Sequence, residues 1–217
     1  MIDMYGADSI RWFMLSDSPP ERDVQWSQEG VSAAFKFIQK LWNLNNQILE
    51  KKDTKPKNND ENLKKAVNKT VYNVTKNLDN FQYNVVIANM HEIYNLLCSH
   101  INNNGTSGKT LKEEWEKIIM LLTPITPHLA HECIEKIGNK FYWPKFDLQM
   151  LKEENCKIVV QVDGRKRGIV EMPINSKEED VIKNSKGTLN VSKYIEKTTI
   201  IKNIYIKNKL INFITKK

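Results

Sequence analysis

The sequence has no apolar run approaching the roughly 18 residues needed to cross a bilayer, and its opening, MIDMYGADSIR, carries acids where a secretory leader would carry bases. Membrane contact and export are therefore not expected, and the reading is a cytoplasmic protein. Cysteine is scarce: Cys98, Cys133 and Cys156 are odd in number and widely spaced, which argues against a disulfide framework and fits reduced thiols. A zinc set is also missing. His128, His131 and Cys133, with Cys98 and His100, invite one, but the first three fall on a helix starting at Pro127 on which residues 131 and 133 point to different sides. No metal is expected, and His128 more simply satisfies backbone groups at a helix end. Arginine is rare, with four residues against 29 lysines.

Apolar residues make up 40% of the 217 positions and charged residues 27%, interleaved rather than blocked, so a folded chain is expected. The net charge of +7 becomes informative when divided along the chain. Residues 1–155 hold 19 basic against 20 acidic side chains, a net of −1, whereas residues 156–217 hold 14 against 6, a net of +8. Codon bias inflates Lys and Asn throughout and cannot produce this asymmetry. A concentrated basic module attracts a polyanion, because each phosphate contact releases condensed counterions. The plainer reading, a solvated basic face, predicts no such partner.

Spacing gives the architecture. YGADSIRWFML places Ile10, Phe13 and Met14 on one helical face before Ser18, Pro19 and Pro20 end the helix. Ser27 can cap a long helix in which Val31, Ala34, Phe35, Ile38, Leu41, Trp42 and Asn45 recur at spacings of three and four. The polar run 51–60 reads as a loop; Leu63, Val67, Val71, Val74 and Leu78 then continue the rhythm, as do Val86, Met90, Ile93 and Leu97. Thr110 and Glu113 form an expected capping box before Leu111, Trp115, Ile118, Ile119 and Leu122. Pro124 and Pro127 restart the chain as a short helix that stops at Gly138. The fold class is mainly α: residues 1–27 form a connector, 28–150 an antiparallel helix bundle, 151–155 (LKEEN) a mobile tether, and 156–217 a small basic α+β domain. In that last domain, KIVVQVDGRKRGIVEM alternates along two strands about Asp163 and Gly164, a pair suited to the positive φ angles of a tight hairpin. Ser176 and Glu179 form a second expected capping box opening a helix to about Lys186, Tyr194 lies in a short helical piece, and TTIIKNIYI and KLINFIT read as two strands joined at Lys207 and Asn208.

YGADSIRWFMLSDSPPERDVQWSQEG, followed by a helix ending KFIQKLW, closely resembles the stretch after the catalytic signature loop of class I leucyl-tRNA synthetases. The pieces TKNLDNFQYNVVIANMHEIYN, LLTPITPHLAHECIEKIG, YWPKFD and VVQVDGRKRGIVEMP with KLINFIT resemble, in the same order, that family's bundle helices, its Pro-x-x-Pro-His helix, its bundle exit and its appended C-terminal domain. Isoleucyl, valyl and methionyl relatives share the YGAD element and a bundle, whereas PPERDVQWS and VQVDGRKRG point to the leucyl branch. Departures are His131, Ile134 and Asp163, where the family commonly carries Glu, Trp and Asn, and a short segment between Gly138 and Trp143. The resemblance implies the C-terminal part of a monomeric ligase that attaches leucine to tRNA(Leu) using ATP and Mg. The His-Ile-Gly-His-like motif, the Lys-Met-Ser-Lys-Ser loop, the nucleotide-binding βαβ unit and the editing insertion are not in this sequence, so this stretch alone is expected to be inactive, without catalytic residues or cofactor, and to work with the catalytic and editing domains.

Arg165, Lys166 and Arg167 follow the hairpin turn and are expected at one exposed edge, where arginine can fork two donors onto one phosphate. Lys202, Lys207 and Lys209 flank the second hairpin and would extend the same patch; Tyr205 is the aromatic candidate for base stacking. The resemblance implies contact with the outer corner of the tRNA, where the D and T loops meet. Lys36 and Lys40, one turn apart beside Trp42, line an RNA backbone or form a solvated face. Asp8 and Arg11 form an expected intrahelical pair, and the resemblance gives Arg11 a second reading, support of the acceptor end. Two other classes stay open: a free-standing RNA-binding module and an interaction bundle with no RNA role.

Overall fold

Gly6, at φ 76°, breaks the chain between two short helices, α1 (Ile2–Tyr5) and α2 (Ala7–Ser16), in the left-handed region that favours glycine. The computed structural model describes residues 1–16, 18–152, 155–195 and 198–216. Ser27 then starts α3 (Gln28–Leu49): its Oγ accepts the Gly30 N–H at 3.1 Å, one of the donors that a first helical turn cannot pair internally. The apolar stripe of α2 differs from the one its spacing suggests, for Trp12 and Phe13 are buried while Met14 is 44% exposed. The cause is packing on two sides, since the Trp12 ring lies 5.0 Å from that of Phe37 on α3 and 5.6 Å from that of His91 further along. The same neighbours bury Phe37 in place of Phe35, and the stripe of α3 extends to Leu44 and Ile48.

Three more long helices, α4 (Asp60–Asp79), α5 (Tyr83–Asn102) and α6 (Gly108–Leu122), and the shorter α7 (Pro127–Ile137) complete the bundle. Leu63, Val67, Val71 and Val74 on α4, Val86, Met90, Ile93 and Leu97 on α5, and Leu111, Trp115, Ile118 and Ile119 on α6 enter one shared core. Burying each such side chain contributes about 1.5–3 kcal/mol before chain entropy is set against it. Gly138, at φ 79°, ends α7 in a left-handed cap. The bundle exit runs along one face of α4. Asn68 exchanges two hydrogen bonds with the backbone of Asp147 (2.9 and 2.7 Å), Tyr72 meets Phe146 edge-on, and the Trp143 indole donates to Thr75 at 3.0 Å.

The cap of α6 is Ser107, not Thr110. Ser107 Oγ accepts the Thr110 N–H at 3.2 Å, and Glu113 pairs instead with Lys109. Beneath this cap lies the buried carboxylate of Asp60 from the start of α4, which accepts from Ser107 N (2.7 Å), Ser107 Oγ (2.8 Å), Thr110 Oγ1 (3.0 Å) and Lys57 N (3.1 Å). A neutral-looking polar loop is thus pinned by a charge 47 residues upstream.

From Asn155 the chain forms β1 (Asn155–Val162), β2 (Arg165–Pro173), α8 (Glu178–Lys186), α9 (Leu189–Ile195), β3 (Thr199–Ile206) and β4 (Leu210–Lys216). The sheet order is β2-β1-β4-β3, with β1 and β4 parallel and the other pairs antiparallel. Ile158, Val160, Val162, Val170, Met172, Ile211 and Phe213 pack with Val181 of α8 and with Val191 and Ile195 of α9. Ser176 does not cap α8: its hydroxyl donates to the Pro173 carbonyl at 2.6 Å, and the cap position belongs to Lys177, which offers no side-chain acceptor. The chain divides into two compact units, Met1–Leu151 and Lys152–Lys217. Of the tether expected at 151–155, Glu153 and Glu154 lie outside the described residues.

Burial would raise the Asp60 carboxyl, but the bonds from Ser107, Lys57 and Thr110 outweigh it and hold the pKa below the ordinary 3.8. A depressed carboxyl contributes stability that is present above the unfolded pKa and is lost as pH falls through the folded one. Asp60→Ala is expected to destabilise the bundle by about 2–3 kcal/mol, because the donors it serves are left without their acceptor. Its melting curve, followed by circular dichroism, is expected to lose most of the wild-type dependence on pH below about 4; an unchanged acid limb counts against this role.

Candidate nucleic-acid interface

The Asp163–Gly164 turn has φ of 51° and 77°, the signs that a two-residue hairpin of matching twist requires. Hydrogen bonds fasten it to β4. Asp163 N donates to Phe213 O (2.9 Å) and Gly164 N to Asn212 Oδ1 (3.1 Å), while the Asp163 carboxylate accepts from Thr215 N and Thr215 Oγ1, both at 2.9 Å. These bonds exist because the parallel pairing of β1 and β4 brings residues 212–215 alongside the turn.

Beyond the turn, the ladder slips. Val160 pairs with Gly168 but Gln161 pairs with Lys166, so one extra residue, Arg167, is inserted as a bulge. Arg165 lies opposite Val162, whose side chain enters the core, and both arginines line a cleft of about 380 Å³ together with Val162, Asp163, Tyr194, Thr198 and Thr215. The Arg167 guanidinium carbon sits 3.7 Å from the centre of the Tyr194 ring. Its Nε is buried without a hydrogen-bond partner, and among the described residues neither arginine forms an ion pair. The cleft therefore brings two cations together with donors to offer.

The three adjacent cations, all on the edge strand β2, do not share one face. Lys166, opposite Gln161, does not line the cleft, because strand alternation turns Gln161 away from the side that buries Val160 and Val162. Lys207 and Lys209 do not extend the patch. Val159 N donates to Lys209 O and Asn175 N to Asn208 Oδ1, so the β3–β4 turn carrying Lys207 and Lys209 lies at the opposite end of the sheet from Asp163. Lys202, on the edge strand β3, pairs with Ile214 of β4 and so lies at the same end of the sheet as Asp163, two strands away. Tyr205 is half-buried on the helix-covered side and donates its hydroxyl to Ser176 O at 3.3 Å, which leaves Tyr194 as the aromatic partner of a cation. Proximity of Tyr194 to Arg167 depends on a bulge and on the approach of α9 to Gly168, and neither has a signal in spacing.

In the bundle, Lys36 and Lys40 are one turn apart on α3, and Lys40 is near enough to His91 to add to the partial burial that pushes that imidazole down. Asp8 and Arg11 do not pair with each other. Asp8 reaches the start of α7, accepting from Leu129 N at 2.8 Å, His128 N at 3.4 Å and His128 Nδ1 at 2.8 Å. Arg11 donates to Pro124 O (2.7 Å) and Ile125 O (3.0 Å) at the end of α6. Helix ends leave orphan donors at one end and orphan carbonyls at the other, and the Pro124–Pro127 corner supplies both within reach of α2.

A family model described as the anticodon-binding domain of tRNA ligase matches residues 60–183. Over its whole length the chain is 34% identical to the leucine–tRNA ligase of Fervidobacterium nodosum, and over 99% of it 34% identical to that of Rickettsia bellii. It spans 28% and 26% of those relatives and corresponds to the C-terminal part of such bacterial enzymes. An Agrobacterium radiobacter LeuRS, solved as a ternary complex with tRNA and LeuAMS, superposes on the whole chain with a TM-score of 0.75 at 20% identity, over 30% of its own length. A methionyl-tRNA synthetase of Mycobacterium tuberculosis shares the fold over 64% of the chain and 34% of its own, at a TM-score of 0.58 and 14% identity.

Asp8→Ala is expected to cost the bundle about 1–2 kcal/mol, as the loss of a helix N-cap does, and to loosen α7 first. Amide hydrogen exchange at His128 and Leu129 measures this directly: faster exchange there, with little change at Val71 or Val74, is the expected pattern.

Proposed function

We propose a function for a chain that belongs to the anticodon-binding family of tRNA ligases: it is the C-terminal, tRNA-holding region of a leucine–tRNA ligase. In this reading the whole enzyme uses ATP and Mg to attach leucine to tRNA(Leu), as a cytoplasmic monomer, and chemistry and editing belong to its other domains. The division of charge supports the reading. Fourteen of the 33 basic residues fall in the last 62 positions against six acids, and two of the four arginines meet at one locked turn.

The tail holds the RNA backbone through Arg165 and Arg167, with Lys166, Lys202, Lys207 and Lys209 adding long-range attraction from other sides. Such contacts fix register and orientation without reading sequence. At the outer corner of the tRNA, recognition rests on shape and on the sugar-phosphate path. Lys36 and Lys40 support the RNA from the bundle, which does not decode the anticodon. Asp8 and Arg11 serve the acceptor end only indirectly, by keeping α2 in place against the α6–α7 corner.

Replacing Arg165, Lys166 and Arg167 together by Gln is expected to lower the slope of log affinity against log salt by at least about 1, at roughly 0.7–0.9 for each phosphate no longer neutralised. Filter binding with tRNA(Leu) between about 50 and 200 mM salt measures it. Lys166→Gln alone is expected to change the slope by less than Arg165→Gln with Arg167→Gln. A triple variant that keeps the wild-type slope contradicts the grip, and salt-insensitive binding of a protein partner in its place favours an interaction bundle.

A further inference from the structure

We infer that Tyr194 is a positioning residue whose ring holds the Arg167 guanidinium in a fixed plane, so that the cleft shared with Arg165 seats one RNA backbone phosphate. The inference rests on the tRNA-holding reading above and assigns to one aromatic side chain a role that charge alone does not supply.

Four observations carry it. Arg167 is the bulged residue of the β1–β2 ladder, so its side chain leaves the strand out of step with its neighbours and reaches α9. Its guanidinium stacks at 3.7 Å on Tyr194, a contact that covers a face of the group and does not use its in-plane N–H donors. The buried Nε without a partner marks a donor taken from water before any acceptor is present, a cost that a bound anion removes. The competing carboxylate in the cleft is already engaged, since Asp163 accepts from Thr215 N and Thr215 Oγ1, both at 2.9 Å.

The scaffold keeps Tyr194 in range. A Cβ placed on Gly168 would meet Val191 at 3.2 Å, so the absence of a side chain there lets α9 lie close against β2, and Val191 and Ile195 anchor that helix in the core. A stacked arginine has lost most of its rotamer freedom before binding, and a planar fork so oriented matches two oxygens of one phosphate. A lysine at the same place would offer a mobile point charge.

Binding of a tRNA(Leu) transcript to the full chain over a salt series tests this with Tyr194→Phe, Tyr194→Leu, Arg167→Gln and Arg167→Lys. Tyr194→Phe keeps the ring and is expected to bind within about twofold of wild type. Tyr194→Leu leaves the net charge untouched, yet is expected to lose about as much affinity as Arg167→Gln and about 0.7–0.9 of slope. Combining Tyr194→Leu with Arg167→Gln adds nothing further, and Arg167→Lys, which keeps the charge and the packing of α9, falls toward the level of Tyr194→Leu. Wild-type binding by Tyr194→Leu or by Arg167→Lys, while Arg167→Gln is impaired, overturns the inference. If Arg165→Gln with Arg167→Gln has no effect at all, the tRNA-holding reading fails and not merely the role of Tyr194.

Discussion

Three aspartates in this chain direct their charge at backbone N–H groups far away in sequence, and the fold depends on that interaction. Asp8 accepts from residues 128 and 129 at the start of α7, Asp60 from Ser107 at the start of α6, and Asp163 from Thr215 on β4. Each joins an early element to one that lies between 47 and 121 residues later. A helix start or a strand edge brings donors that its own backbone leaves unpaired, and a carboxylate satisfies them with bonds about twice as strong as neutral ones. The apolar stripes supply the free energy that closes the bundle, and the carboxylates add directional bonds at its corners.

The same interaction prepares the cationic cleft. Asp163 is the acid nearest in sequence to Arg165 and lines the same cleft as both arginines, and its oxygens accept from Thr215. The arginines share a small cleft with donors still available. A surface ion pair would have quenched them at little gain in stability, since exposed pairs contribute about 0–1 kcal/mol. Leaving them out of an ion pair therefore costs the isolated domain little and favours a complex with a polyanion. The remaining lysines are dispersed over both ends of the sheet, where they raise the potential of the whole unit and form no second grip of the same kind.

Much of this is legible in the residues. Val67, Val71 and Val74 announce a helix face, Ser27 and Gly138 mark a helix start and a helix end, and Asp163–Gly164 the hairpin, because each is a local signal with a local cause. What escapes is set by partners distant in sequence. Thr110 looks like a cap only because Asp60, which completes the cap at Ser107, is 50 residues away. Ser176 resembles a cap until its hydroxyl meets the Pro173 carbonyl, and Asp8 and Arg11 look like a pair because spacing cannot show a helix corner more than 110 residues on. Closeness in sequence groups the three hairpin cations, but alternation turns Lys166 away from Arg165 and a bulge re-aims Arg167. The distance of Lys207 and Lys209 from them follows from the parallel pairing of β1 with β4, which cannot be read from two hairpins. Tyr205 stands out on a basic strand, whereas Tyr194, in a short helical piece with no motif, is the residue that meets the cation.

The scarcity of arginine offers the most direct test of the central claim that two cations at one turn grip the RNA. The chain contains only Arg11, Arg22, Arg165 and Arg167, so the side-chain Nε–H region of a nitrogen-15 spectrum holds four signals. Titration with tRNA(Leu) is expected to move the Arg165 and Arg167 signals and to slow their exchange with water, leaving Arg11 and its carbonyl partners unchanged. Movement of Arg11 or Arg22 while Arg165 and Arg167 stay in place would contradict the account.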